Sequence, residues 1–345
     1  QGGDFPRWPL ANGYTDCMEG QHTTVIIADA IAKGFIDFDL EMVYQGLKNG
    51  SLYPQGHNGR TDTQDWHTIG YIPFEKDKHG AVLTQDYSYD DWALSTIAEY
   101  LNHTTDAEMF RNSSKNYMNV WNKEYKFFCP KTSEGKWECP LTWIDVFDER
   151  YVEGDAWHYR WFVPGDVPGL IKLFGSQEYF VEQLDIFFSR AEYFPNALPN
   201  PYYWAGNEED LLAAYLFDFA GRPDLTQKWV KYNMKEQYGV GPDGLPGNDD
   251  YGTMSAWYVF GALGFYPLSG SDRYMIGSPL FSSLTINRDD GDLVVIAHNV
   301  SESNVYVEKL MINGEPLNMS NPFIKHSDIH GKTLLEFWMT SSPTK

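Results

Sequence analysis

The chain has 345 residues, with 48 Asp and Glu against 26 Lys and Arg, so its formal net charge is −22. Hydrophobic residues make up 42 % and charged residues 21 %, which excludes an intrinsically disordered chain and fits a globular one of about two domains at ~150 residues each. The acidity argues against nucleic acid and anionic membranes as ligands, and no apolar run reaches the ~18–20 residues of a membrane-spanning helix.

Apolar periodicity predicts helices along most of the chain. Residues 22–33 form a helical pattern that ends at Gly34. A second helix begins with Asp37 or Asp39 as its N-cap. Residues 50–85 show no periodicity and predict a long loop, which is more often functional than idle. Further helical patterns occur at residues 90–101, 106–121, 166–174, 176–190, 207–219, 223–236 and 252–263.

Short β-type runs begin at Ser278 and are separated by Asp-Gly, Asn-Gly and His-Gly turn signals. We therefore expect a mainly α fold, with a helical body over residues 1–277 and a β-rich tail over residues 278–345. Helices that alternate with loops rich in aromatic and acidic residues are typical of an α/α toroid. Four or five strands alone make a poor sheet, so the tail is expected to pack on another part of the protein.

Five Asn-x-Ser/Thr sequons favour a chain that meets the glycosylation machinery, whereas the alternative is chance occurrence in an acidic bacterial protein. The acceptor residues are Asn49, Asn102, Asn112, Asn299 and Asn318. We predict secretion or residence in the lumen of the secretory pathway. The N-terminal residues lack a signal-peptide pattern, so a secreted form would have lost its leader.

The three cysteines fit an oxidising compartment. Cys129 and Cys139 flank a short polar loop, and a disulfide between them would stabilise the fold by ~2–3 kcal/mol. Cys17 is then left over without a metal-binding or redox spacing, and we expect it to be a buried structural thiol.

Aromatic residues make up 16 % of the chain, with 12 Trp, 23 Tyr and 21 Phe. Most of them are expected in the core. The alternative is that some of them line a groove for carbohydrate, because flat rings stack on the C–H faces of sugars and leave the hydroxyl groups to carboxylates and amides.

Three acidic clusters could carry chemistry. Glu153 lies among aromatic residues, and a poorly solvated carboxyl has the raised pKa of a general acid; the alternative is a helix-start or core residue. The segment 207–210, Asn-Glu-Glu-Asp, either caps a helix or offers oxygen ligands to calcium. The Asn248-Asp249-Asp250 run either is a solvated turn or supplies a base that activates water. One acid and one base make the two-carboxylate arrangement of glycoside hydrolysis, but the sequence does not give their separation.

Several motifs resemble glycoside hydrolase family 92. They include the run Leu-Pro-Gly-Asn-Asp-Asp-Tyr-Gly-Thr-Met-Ser-Ala-Trp-Tyr-Val-Phe at 245–260, and together they extend over nearly the whole chain. The other matching segments are residues 2–22, 27–34, 70–73, 90–92, 151–154, 161–170, 207–208, 264–267 and 274–281.

The resemblance implies a calcium-dependent, inverting exo-α-mannosidase with an (α/α)6 catalytic barrel that follows an N-terminal β-sandwich domain. It implies that Glu153 is the general acid, that Asp250, assisted by Asp249 and Asn248, is the base, and that Asn207, Glu208 and Asp250 hold Ca²⁺. Inversion needs room for water, so the two catalytic carboxyls should lie ~6.5–9.5 Å apart. The residues expected to bind the sugar are Asp90, Asp91, Trp157, Tyr203, Trp204 and Asn248.

The chain also departs from the family pattern. Asn248 stands where some members have an acid, Glu209 replaces a common proline, and Pro201-Tyr202-Tyr203 replaces the His-Glu pair of α-1,2-specific members. The β-sandwich domain and the first barrel helices have no counterpart, so we expect the toroid-type catalytic part to be incomplete. We expect mannose-containing glycans as ligands, with the missing N-terminal domain or another copy of the chain as a protein partner. The alternatives are a catalytically incomplete piece that binds mannosides or only contributes structurally, and a metal-independent toroid glycosidase or lyase.

Overall fold

A computed structural model of the protein describes residues 3, 5–15, 17–54, 59–194 and 198–343. The chain forms two units. Unit 1 comprises Gln1–Leu173 and Ser269–Ser271, and unit 2 comprises Phe174–Leu268 and Asp272–Lys345. These units divide the chain elsewhere than the predicted domains, 1–277 and 278–345, which stay a prediction. The described part is mostly helical with β-sheets toward the C-terminus.

Unit 1 is built around one long helix. Its helices are α1 (Thr23–Ala32), α2 (Leu40–Leu52), α3 (Thr63–Thr68), α4 (Gly80–Tyr100), α5 (Thr104–Ser113), α6 (Ala156–Tyr159) and α7 (Val167–Leu173), with short strands β1 (Pro9–Leu10), β2 (Gly13–Tyr14), β3 (Trp121–Asn122) and β4 (Phe127–Phe128). The core between α1, α2, α4 and α5 includes Val25, Leu47, Leu94 and Phe110. Two 3₁₀ turns, Asn116–Val120 and Pro164–Asp166, complete the unit.

The predicted helices of unit 1 are only partly confirmed. Asp39 is the N-cap of α2, and its carboxylate accepts from the Met42 N–H at 3.0 Å. The long loop predicted for residues 50–85 is wrong, because α2 extends to Leu52, α3 lies within it and α4 already begins at Gly80. The first three turns of α4 are buried, so its polar and apolar residues do not separate onto two faces and leave no amphipathic period.

Unit 2 begins with helices α8 (Gln177–Ala191), α9 (Glu208–Leu211), α10 (Leu216–Phe219), α11 (Pro223–Glu236) and α12 (Thr253–Leu263). The predictions at 176–190, 223–236 and 252–263 are confirmed. The single helix predicted for 207–219 is wrong, since a 3₁₀ turn at Ala213–Tyr215 separates α9 from α10. Tertiary packing decides the backbone here, because all residues from 210 to 218 except Leu212 are buried.

The strands of unit 2 form two sheets. A five-stranded sheet has the order β10 (Glu315–Pro316), β9 (Tyr306–Ile312), β12 (Thr333–Thr340), β8 (Leu293–His298) and β7 (Ser283–Ile286), with only the β12–β8 pair parallel. An antiparallel sheet has the order β11 (Phe323–Lys325), β6 (Arg273–Ile276) and β5 (Phe265–Pro267). The β-type runs predicted after Ser278 are confirmed as β7, β8, β9 and β12, but the strands of unit 2 begin at Phe265 rather than at Ser278.

The sheet residues of unit 2 share a core with the end of α12. Buried Leu293, Val295 and Phe337 pack in one cluster with Leu263, and Phe260 lies against it. The alternation of buried and half-buried residues along β8 and β12 gives the period of two that made these strands predictable. Packing of the tail on a further domain stays a prediction.

The structure tests the cysteines and locates the sequons. Cys129 and Cys139 form the predicted disulfide. The expectation of a buried Cys17 is wrong, because Cys17 is exposed and its sulfur lies 3.2 Å from the Thr15 hydroxyl. Four sequon asparagines are exposed: Asn102, Asn112, Asn299 and Asn318. Asn49 is half-buried inside α2 and donates to the Gly3 carbonyl at 3.0 Å; glycosylation of all five stays a prediction.

Among the described residues, no helix has both the length and the apolar character that crossing a bilayer requires.

Candidate functional site

The segment that carries Glu153 in unit 1 is held from both sides by tyrosines. The Tyr151 hydroxyl donates to the Phe128 carbonyl and the Tyr159 hydroxyl donates to the Val152 carbonyl, each at 2.8 Å. Glu153 itself has a φ of +50°, in the left-handed region that side-chain-bearing residues rarely adopt. A residue held in this way is over-determined by its surroundings, as is common in functional loops.

The buried carboxyl of this segment is Asp155, not Glu153. Glu153 is exposed, so the expectation that its carboxyl packs among rings is wrong. Asp155 is 1 % exposed and caps α6, accepting from the N–H groups of Trp157 and His158 at 2.8 and 3.3 Å. Burial raises the pKa of Asp155 to about 8, although both N–H groups oppose that shift. The sequence did show the signal for this cap, since Asp155 and His158 have the spacing of a capping box.

Trp157, which was predicted to bind the sugar, lies in the core of unit 1 and is 9 % exposed. Its ring meets Phe127 edge to face at 5.3 Å between centroids. The guanidinium carbon of buried Arg160 lies 4.2 Å from the Phe127 ring centroid and 4.7 Å from that of Trp157. Trp157 therefore belongs to an aromatic–cation cluster beneath the Glu153 segment, and a sugar contact would reach only its small exposed edge.

Asp90 and Asp91 are also buried, at 0 % and 1 % exposure. Asp90 accepts from the Gln21 N–H at 2.8 Å and lies 3.0 Å from the His22 ring nitrogen Nδ1. Asp91 forms an ion pair with Arg60 at 2.7 Å. Both carboxylates therefore fix neighbouring segments of unit 1. The sequence-based prediction missed Arg60, because that residue falls in the region expected to be a loop.

In unit 2, two loop segments come together around Trp204. The Trp204 indole nitrogen donates to the Pro246 carbonyl at 3.0 Å, and its backbone N–H donates to Asp210 at 3.1 Å. Gly247 allows this approach, because a Cβ at that position would lie 2.8 Å from the Gly206 carbonyl oxygen. The Asn207–Asp210 segment and the turn with Asp249 and Asp250 are thus fixed to each other.

The acidic turn before α12 uses its two aspartates differently. Asp249 accepts from the Ser255 N–H at 2.9 Å and from its hydroxyl at 3.1 Å, as a helix cap does. Asp250, Tyr251 and Gly252 follow with φ values of +41°, +58° and +87°. Capping thus engages the carboxylate of Asp249, whereas the carboxyl of Asp250 forms a hydrogen bond with Glu208.

The structure brings Glu208 and Asp250, two residues that the family resemblance implies as calcium ligands, into hydrogen-bond contact. Burial, the charge of Glu209 and a hydrogen bond with Asp250 raise the pKa of Glu208 to about 8. Two carboxyl groups in contact hold either a shared proton or a cation. Buried Asn207, at the N-cap of α9, adds an amide to the same segment. This donor set of hard oxygen atoms fits calcium.

The other predicted sugar-binding residues of unit 2 differ in accessibility. Tyr203 is 0 % exposed and packs on Phe187 and Phe188, so a sugar that binds from solvent cannot contact its side chain. Trp204 is half-buried, and Asn248 is exposed beside the acidic turn. Sugar contacts of these two residues stay predictions.

Known proteins resemble this chain over almost its full length. The model of the glycosyl hydrolase family 92 catalytic domain matches residues 1–341. An α-mannosidase of this family from Bacteroides thetaiotaomicron, solved in complex with mannoimidazole, is 30 % identical with a TM-score of 0.89 over 99 % of this chain and 46 % of its own. An inverting family 92 mannosidase from the same organism is 28 % identical with a TM-score of 0.90, over 99 % of this chain and 48 % of its own.

A secreted glycosidase from Arthroderma benhamiae, itself uncharacterized, is 28 % identical over 89 % of this chain and 43 % of its own length. The chain thus spans less than half the length of these relatives. Because the family model covers the chain almost from end to end, the chain belongs to glycosyl hydrolase family 92.

Proposed function

We propose that this chain is the catalytic portion of an inverting, calcium-assisted exo-α-mannosidase that removes terminal α-linked mannose from glycans. The carrying observation is the contact between Glu208 and Asp250, in a chain of a family that includes an inverting mannosidase and an α-mannosidase bound to a mannose mimic. The proposed fold of the helical body is that of an (α/α)6-toroid-type catalytic domain. The proposed location is outside the cell or in the secretory lumen, as for the secreted relative.

In the proposed reaction, Glu153 donates its proton to the glycosidic oxygen as the bond to the anomeric carbon breaks. Asp250 accepts a proton from the water that attacks the opposite face of the sugar ring. Glu153 is exposed, so its carboxyl can contact a glycosidic oxygen. The left-handed backbone at Glu153 and at Asp250 sets the direction in which each side chain leaves the main chain. Asp249 is a positioning residue, because its hydrogen bond from the Ser255 N–H holds the turn that carries Asp250.

Asn207, Glu208 and Asp250 would hold the calcium ion. When bound, calcium would attract sugar hydroxyl oxygens by its positive charge. It would also replace the proton that Glu208 and Asp250 share without it. The elements that position the three residues are the N-terminus of α9 and the turn before α12.

Activity measured on substrates with poor and with good leaving groups tests the role of Glu153. A general acid contributes ~10²–10⁴-fold when the leaving group is poor and little when it is good. Glu153→Gln should therefore lose that factor in kcat/KM on α-mannobiose but retain most activity on a dinitrophenyl α-mannoside. Asp250→Asn should lose activity on both. Glu149→Gln is the matched control, because Glu149 is an exposed carboxylate on the same loop, paired with Lys78. Equal losses on both substrates for Glu153→Gln would remove it from the acid role.

A second candidate function is binding of mannosides without turnover. Calorimetric binding of mannose, together with no release of mannose from either substrate, would establish this function in place of hydrolysis.

A further inference from the structure

A cavity of about 290 Å³ lies in unit 2 between the C-terminal parts of α8 and α11 and the loop 243–246. We call it the α8–α11 cavity. Glu208 and Asp250 are not among the described residues that line it. Its volume lies at the lower end of the ~300–1,000 Å³ of ligand pockets, which suits a ligand as small as one sugar ring.

One buried polar side chain of the cavity lining has no hydrogen-bond partner. Asn233 is 1 % exposed, and its side-chain nitrogen has no partner among the described residues. Buried polar groups are normally satisfied, so each such group needs a reason. A bound molecule with hydroxyl groups would supply the missing acceptor.

The remaining lining is aromatic and acidic. Half-buried Trp204 and Tyr232 contribute rings, and the Tyr232 hydroxyl bonds to Glu192. Glu192, Glu236 and Asp243 are exposed and therefore lie at the open end. Rings with a few convergent polar groups are the usual composition of a small-ligand site.

This composition selects among ligand classes. The three carboxylates at the open end repel phosphates and other anions. A protonated amine would be attracted, but an ammonium group has no acceptor for the Asn233 N–H. A sugar hydroxyl both donates to a carboxylate and accepts from an amide, so a neutral polyol satisfies every group.

We infer that the α8–α11 cavity binds one neutral hexose unit of a glycan, apart from the Glu208–Asp250 pair. The choice of mannose as that hexose rests on the proposed function. The hydrogen bond from Trp204 to the Pro246 carbonyl joins the lining of the cavity to the loop that carries Asp250, so the bound unit lies beside the acidic turn.

Alanine-methyl NMR of the labelled protein, titrated with methyl α-mannoside, tests this inference. Ala191 lines the α8–α11 cavity, whereas Ala220 lines a different cavity of unit 2 and serves as the internal control. The Ala191 methyl signal should shift and saturate while that of Ala220 stays in place. Mannose 6-phosphate, which is anionic, should not shift the Ala191 signal.

Two variants locate the site. Asn233→Leu removes the unpaired amide at similar volume and should weaken the affinity read from Ala191 at least about tenfold. Glu236→Ala changes an exposed residue, so it keeps the test valid should Asn233→Leu fail to fold, and it should weaken binding at least about threefold. Val181→Leu, which fills the other cavity, should leave binding unchanged.

Two results would overturn the inference and show that the cavity holds water only. Either the Ala191 signal does not shift, or it shifts equally in the unaltered protein, in Asn233→Leu and in Glu236→Ala. The Ala191 shift reports binding in the cavity and does not depend on whether the protein hydrolyses mannosides. Glu153→Gln should keep the Ala191 shift while it loses activity on α-mannobiose. Failure of the unaltered protein to hydrolyse mannosides, with the Ala191 shift retained, would defeat the proposed reaction and leave the binding site standing.

Discussion

Asp91 in unit 1 is a buried carboxyl and Glu208 in unit 2 is a half-buried one, and the groups around them are opposite in kind. Asp91 is paired with Arg60 at 2.7 Å, accepts from the Trp66 indole at 3.2 Å and from the Ser51 hydroxyl at 3.3 Å, and also accepts from Ser113. Glu208 faces the carboxyl of Asp250 and the charge of Glu209.

The difference separates structural from functional carboxyls. Donors and a cation already compensate the charge of Asp91, so it has nothing left to offer a ligand. Glu208 and Asp250 repel each other when both are ionised, so the pair needs a proton or a metal ion. An acidic motif is therefore a candidate site only where its own fold leaves the charge uncompensated.

The largest expected effect on stability is that of Asp91→Asn. The substitution leaves the Arg60 guanidinium buried without its counter-charge, and breaking a buried ion pair from one side costs ~3–5 kcal/mol. Urea unfolding should show this loss in the free energy of unfolding. Glu99→Gln is the control, since it breaks an exposed pair with Arg111 and should cost under ~1 kcal/mol. A similar small cost for both variants would mean that Asp91 is not the structural carboxyl described here.

Glu208→Gln is expected to show the opposite pattern, with activity lost and stability kept. The substitution removes one of two repelling carboxyls, so the melting temperature without added metal should not fall. Loss of a ligand should lower kcat/KM on α-mannobiose at least about a hundredfold and should reduce the rise in melting temperature that calcium gives by binding the folded state. Thermal scans with calcium and with EDTA measure this rise. A calcium-dependent rise as large as that of the unaltered protein would remove Glu208 from the metal site.

A feature of the fold or of the candidate site can be predicted from the sequence when the residues that cause it are neighbours along the chain. The acidic turn, the cap at Asp39 and the alternating strands β8 and β12 follow from neighbouring residues, and the sequence predicts them. The role of Asp91 depends on Arg60, more than thirty residues earlier in a segment without periodicity, and no local pattern reveals that pairing. Likewise, the motif around Glu153 predicts a carboxyl among rings, but only the fold decides that Asp155 takes the buried position.

Asp155 lies between the two cases, because it is buried and accepts two N–H groups, but no lysine or arginine of the described residues forms an ion pair with it. Its pKa of about 8 in the folded protein lies above the ~3.9 of an unfolded aspartate. Below pH ~4 the group is neutral in both states, and its burial is then fully tolerated. As the pH rises from ~4 to ~8, the unfolded chain gains charge and stability falls. Asp155→Asn keeps the cap without titrating, so its stability relative to the unaltered protein should grow over that range and level off above it. Melting temperatures of both proteins across this pH range test the prediction, and a difference that does not change with pH would show that Asp155 is ionised in the fold and compensated as Asp91 is.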